Sequence, residues 1–311
     1  MNSLVFKILR GSVGRFIEST AKIESNLAND KFAYIRNLMQ DESKGVLISG
    51  NHKSMLETAA IPLVVYDSTG KQIRVGAGNN LFSGVTKKII DYTTTFTVNR
   101  DSKLAAVRGM RENMKKEIKN GKRVLIFPEG TRSRSGLINS YNPASFGIAI
   151  EANKEIPTYI LPLDVTYEEV GDIKRLGLLD SNVKYKFKPT DLFRWKDYDS
   201  RVFVTFGDPI SVSDFKDRNS LTNYAQAASE DLVKITASNL AATAYLRSNS
   251  IDDKDLKDSL DEVIDELKPH WNKFMTAGNF DEVFERSAVN PDSSRKEVNF
   301  YANQIRHYLE K

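Results

Sequence analysis

The feature that most constrains this chain is an alternation of short apolar runs with stretches of helical periodicity. Val46-Leu47-Ile48-Ser49, Ile73-Arg74-Val75-Gly76, Thr95-Phe96-Thr97-Val98, Val124-Leu125-Ile126-Phe127, Tyr159 to Val165 and Val202 to Phe206 all read as strands. Between them, Leu104, Val107, Met110, Met114 and Ile118 mark one helix face, closed by Asn120-Gly121. The alternation predicts an α/β fold with a mixed, largely parallel sheet covered by helices on both faces.

The ends of the chain read differently. Residues 1–40 form an expected N-terminal amphipathic helical segment, with Leu4, Phe6, Ile8, Leu9, Val13 and Phe16 interleaved with Lys7, Arg10 and Arg15. Such a segment either lies in a membrane interface or packs on the body. An α/β domain is expected over 41–247, ending in the alanine-rich helical stretch from Leu221 to Leu246. Residues 248–311 follow as a C-terminal helical appendage, with Leu256, Leu260, Val263 and Leu267 at helical spacing and acidic residues opposite them.

Composition removes several kinds of chemistry. At 311 residues the chain is long enough for a full core. It contains no cysteine, which excludes disulfides, thiolate metal sites and a cysteine nucleophile, and it is compatible with a reducing cytoplasm. No apolar run approaches the roughly 20 residues that span a bilayer. Residues 251–311 carry nine Lys/Arg against fourteen Asp/Glu, so a balance of −5 there leaves +9 on residues 1–250. A basic body suits anionic partners.

Chemistry in α/β proteins gathers where strands end. His52, one of three histidines, stands in Asn51-His52-Lys53-Ser54-Met55-Leu56-Glu57, directly after the first apolar run. An imidazole takes a proton from an alcohol near neutral pH when a carboxylate fixes its tautomer, and Glu57 is the nearest carboxylate. Ser54 to Glu57 is equally a capping box that merely starts a helix. His270 and His307 read as structural. The strand Val124 to Phe127 delivers Pro128-Glu129-Gly130-Thr131-Arg132-Ser133-Arg134-Ser135-Gly136, where two arginines and three hydroxyl residues on a proline- and glycine-fixed path suggest a phosphate-binding turn. Arg100 ends another strand, where a guanidinium forks onto phosphate or is simply solvated. Lys53 either attracts an anionic substrate or is a solvated surface lysine. No Gly-x-Ser-x-Gly elbow, Walker loop, Gly-x-Gly-x-x-Gly or His-Glu-x-x-His is present. The basic turn is short and not interleaved with aromatics, which argues against nucleic-acid binding.

Taken together, the blocks resemble the glycerolphosphate acyltransferase superfamily. His52 to Glu57 matches its histidine, four residues and an acid. Phe96-Thr97-Val98-Asn99-Arg100 matches its second block, Phe127 to Arg134 its third, and Ile160-Leu161-Pro162-Leu163 its fourth. Ala77 to Leu81 and Tyr167-Glu168 resemble the branch that acylates glycerol 3-phosphate more than the one that acylates lysophosphatidate. The departure is Glu57, where the family mostly has aspartate.

The resemblance implies transfer of a fatty acyl group from acyl-CoA or acyl carrier protein to glycerol 3-phosphate in phospholipid biosynthesis. It makes His52 the general base with Glu57 behind it, and Arg100, Arg132 and Arg134 the phosphate ligands. Glu129, Gly130, Thr131 and Lys53 would line the pocket, Glu129 holding glycerol hydroxyls or pairing with an arginine. No metal or resident cofactor is implied. The expected setting is cytoplasmic, on a membrane surface. The rival expectations are a lysophospholipid acyltransferase and, if Glu57 has cost the site its turnover, a non-catalytic phospholipid-binding protein.

Overall fold

The computed structural model describes residues 21–54, 56–78, 95–98, 104–171, 200–248, 253–276 and 279–310. Arg100 and residues 1–20 lie outside them. Among the described residues eight strands form one sheet: β1 (Ala21–Ser25), β2 (Gly45–Gly50), β3 (Ile73–Gly78), β4 (Thr95–Val98), β5 (Arg123–Ile126), β6 (Thr158–Tyr167), β7 (Ser200–Phe206) and β8 (Ile210–Ser211). Their order is β1-β7-β6-β2-β5-β3-β4, with β8 also on β6. β2 pairs in parallel with both β5 and β6, while β6 and β7 run antiparallel. The sheet is thus mixed and largely parallel, as the strand-helix alternation predicts.

Strand β2 shows why the sheet is covered on both faces. All six of its residues are buried. Val46 and Ile48 belong to the core beneath α1 (Ala33–Gln40) and α2 (Glu57–Thr69). Leu47 points the other way, to the core under α3 (Leu104–Lys119), α4 (Pro143–Asn153) and α5 (Arg218–Glu230). Side chains alternate across a strand, so a strand buried at every position, with Val46, Leu47 and Ile48 at its centre, needs apolar neighbours on both faces.

The expected boundary at residue 40 is not where the sheet begins. Ala21–Ser25 is its edge strand, with Ala21 opposite Ser200 and Ser25 opposite Val204. Residues 21–40 therefore belong to the α/β body, because β1 is defined by a partner far along the chain and not by a local pattern. The turn after α1 is held by Asp41. Its carboxylate accepts the Ser43 N–H at 3.0 Å and lies 3.1 Å from Lys44 Nζ. The Ser43 hydroxyl, then Lys44, hold the Asp41 carboxyl down at about 2. A depressed carboxylate contributes stability above its ordinary value, and that contribution is lost as pH falls through the folded value. An NMR titration should therefore place Asp41 near 2, and a midpoint close to 4 would mean that the turn does not form in solution.

The stretch expected to be helical from Leu221 to Leu246 is divided between α5 and α6 (Ala237–Arg247), and beyond it come α7 (Asp253–Leu267), α8 (Phe280–Arg286), α9 (Arg295–Asn303) and the short α10 (Arg306–Leu309). They are packed into the body. Val298, Phe300, Tyr301 and Ala302 share one core with Val46, Leu161 and Val204. Helix α6 is buried from Ala237 to Ala244, where small side chains let neighbouring backbones approach. Among the described residues no helix is long and apolar enough to cross a membrane.

Candidate active site

Parallel pairing brings three strand ends to one place. Ser49 lies opposite Ile126 and Gly50 opposite Leu163, so the residues leaving β2, β5 and the end of β6 share one edge. The first exit carries His52, whose Nδ1 lies 2.7 Å from Glu57 Oε2. Glu57 is fully buried, whereas the His52 side chain is 18% exposed. The longer acid thus closes on the imidazole despite its extra methylene.

The other carboxylate oxygen explains how helix start and dyad coexist. Glu57 Oε1 accepts the N–H groups of Lys53 at 2.8 Å and Ser54 at 2.9 Å, and the Tyr167 hydroxyl at 3.2 Å. One oxygen makes the bond to the Ser54 N–H that a capping box uses, although the helix starts only at Glu57, with Leu56 and not Ser54 as its N-cap, and the other oxygen faces the imidazole. Glu57 is also the first residue of α2, where the helix dipole favours negative charge. An ionised Glu57 holds the proton on Nδ1, which leaves Nε2 as the acceptor. The Phe127 ring stacks on the imidazole with centroids 4.4 Å apart and fixes its plane.

The second exit is the turn after β5. Glu129 does not serve as a pocket carboxylate open to hydroxyls. Its Oε1 accepts the His52 N–H at 2.8 Å, and its Oε2 accepts the Asn139 N–H at 2.9 Å and Asn139 Nδ2 at 2.7 Å. Burial pushes the Glu129 carboxyl up, and the Asn139 and His52 donors oppose that rise. Both oxygens are occupied by protein donors, so Glu129 positions the histidine backbone. Gly130 turns the chain with φ +71°, a conformation that costs glycine least. A Cβ there would meet nothing within 4 Å, so backbone conformation and not space calls for glycine. Thr131 is exposed, and Arg132 and Arg134 are half-buried. The turn is tied to the dyad because the Ser133 N–H donates to the His52 carbonyl at 2.6 Å.

Lys53 is neither a substrate lure nor a solvated lysine. It is 2% exposed, and its Nζ lies 3.0 Å from Asp164 Oδ1 and 3.1 Å from the Val165 carbonyl. Asp164, fully buried on β6, also accepts from Asn51 Nδ2 and the Thr166 hydroxyl, while Asn51 Oδ1 accepts the Val165 N–H at 3.2 Å. This network locks the residues on either side of His52 to the third strand end. Asn51, Asn139, Asp164 and Tyr167 were not singled out as site residues from sequence. Asp164 had a signal: a charge inside the apolar run Tyr159 to Val165 must find a partner when buried.

A sequence model of the acyltransferase family matches residues 26–166, a span that contains the dyad, the arginine turn and nearly all of β6. Glycerol-3-phosphate acyltransferase of Alteromonas mediterranea is 27% identical over 53% of this chain and 21% of its own length. The human 1-acyl-sn-glycerol-3-phosphate acyltransferase beta is 25% identical over 50% of this chain and 56% of its own. The chain thus spans less than two thirds of either relative. A solved structure of a 1-acyl-sn-glycerophosphate acyltransferase from Thermotoga maritima is 20% identical, with a TM-score of 0.48 over 72% of this chain and 77% of that one. With the four sequence blocks in order and the family match lying across them, residues 26–166 of this chain are similar to the acyltransferases of glycerolphosphate lipids.

Proposed function

We propose that this protein transfers a fatty acyl group from a thioester donor, acyl-CoA or acyl carrier protein, to a hydroxyl of glycerol 3-phosphate. The observation that carries the reading is the His52 to Glu57 contact of 2.7 Å, tied through Ser133 to a turn that bears two arginines. His52 Nε2 takes the hydroxyl proton as the oxygen attacks the thioester carbonyl. The C–S bond then breaks, and the departing thiolate takes the proton from the imidazolium. Glu57 holds the imidazole and stabilises its charged form. Arg132 and Arg134, with Arg100, hold the acceptor's phosphate. The reaction so written needs no resident metal or cofactor. Its acyl chain and product partition into lipid, so the proposed setting is the cytoplasmic side of a membrane surface.

Thiol release with glycerol 3-phosphate as acceptor tests this directly. A charged hydrogen bond to phosphate is worth about 1.5–3 kcal/mol, so Arg132→Ala and Arg134→Ala should each raise the acceptor KM by roughly 10- to 100-fold while the thioester KM stays put. Acceptor KM values unmoved in both variants would remove the phosphate assignment. A second reading, lysophosphatidate as acceptor, draws on the human relative. Turnover with lysophosphatidate and none with glycerol 3-phosphate would select it.

A further inference from the structure

The family match ends at residue 166, yet helix α9 touches both loops that build the candidate site. On one side, Asn303 Nδ2 donates to the Ser135 carbonyl at 2.8 Å, next to Arg134. Gly136, with φ +84°, lies so close to the Phe300 carbonyl that a Cβ would overlap it. On the other side, the Tyr301 hydroxyl accepts the Val170 N–H at 2.9 Å, three residues beyond the Tyr167 that donates to Glu57. The helix has its own anchor. Phe300 and Tyr301 are buried, and Asn239 Nδ2 of α6 donates to the Tyr301 carbonyl at 2.9 Å.

Three residues within one turn of α9 therefore hold the arginine turn and the β6 exit in a fixed relation. We propose that α9 is a brace for acceptor binding and that Asn303 is a positioning residue acting through Ser135 on the Arg132–Arg134 turn. The inference rests on reading those arginines as phosphate ligands. A turn with two glycines at positive φ has many conformations open to it, and ordering it costs entropy. If the protein orders the turn beforehand, that cost is not charged to ligand binding. Loss of the brace should thus weaken the acceptor and leave the chemical step alone.

The test uses the full chain with Asn303→Ala and Asn303→Asp, the second keeping the shape of asparagine without its donor. Both should raise the KM for glycerol 3-phosphate about 5-fold with kcat and thioester KM unchanged, a split that a general loss of stability would not produce. Amide hydrogen exchange at residues 132–137 should quicken in both variants while β2 and β5 keep their protection. An active wild type with the same acceptor KM in both variants overturns the brace, as does a uniform fall in kcat with both KM values disturbed. A wild type inactive on every thioester and acceptor would instead overturn the acyltransfer reading, and the affinity claim with it. Exchange at 132–137 would then decide the brace alone, faster exchange upholding it and unchanged exchange removing it.

Discussion

His52→Ala is expected to lower thiol release by about 100- to 10,000-fold, the range over which a positioned general base contributes. The size follows from how completely the imidazole is fixed. Nδ1 faces a buried carboxylate at 2.7 Å, the ring stacks on Phe127, and the backbone is held at its N–H by Glu129 and at its carbonyl by Ser133. Loss of the ring removes the proton acceptor and leaves this framework standing. Acceptor KM should therefore change little, since the arginines keep their turn. Glu57→Asp is a companion variant. Aspartate is one methylene shorter, but the Glu57 side chain spans from the Lys53 and Ser54 amides to the imidazole. Retraction by more than an ångström should cost about 100-fold. The assay is single-substrate saturation with thiol detection, on protein whose unfolding curve matches the wild type. His52→Ala within 10-fold of wild type would end the role assigned to His52.

Asp164→Ala should destabilise the fold by about 3–5 kcal/mol, the range for removing one partner of a buried ion pair. Lys53 would keep the Val165 carbonyl but lose its counter-charge, and Asn51 and the Thr166 hydroxyl would each lose an acceptor. None of these groups gains water, because Asn51, Lys53 and Thr166 are all buried. Urea unfolding measures the effect, with the midpoint falling and the slope held. The paired change Lys53→Met with Asp164→Leu should recover most of the loss, since two apolar groups leave no uncompensated charge. A single variant within 1 kcal/mol of wild type would show that the charges are not buried together. Activity provides a second reading. Asn51 and Lys53 flank His52, so the single variant should lose turnover at temperatures where it is still folded.

What the sequence determined by itself is what short-range pattern encodes. Apolar runs placed β2, β3, β5, β6 and β7 within two residues of their ends, because a buried strand needs apolar side chains on both faces and turn residues beyond them. Histidine and acid five residues apart, straddling a strand exit and a helix start, were legible for the same reason. So was the glycine-bounded arginine turn. What only the tertiary structure decided is every pairing across distance. Lys53 meets Asp164, 111 residues on, and became a buried strut where the local pattern showed a surface cation. Glu129 meets the His52 amide 77 residues back, so a carboxylate read as lining the pocket holds the His52 backbone. Asn303 meets Ser135 across 168 residues, which brings helices read as an appendage to the back of the site. Strand order sets these contacts. Neighbours in the sheet are fixed by crossover connections and not by sequence proximity, so the partners of a buried polar group become visible only when the sheet is assembled.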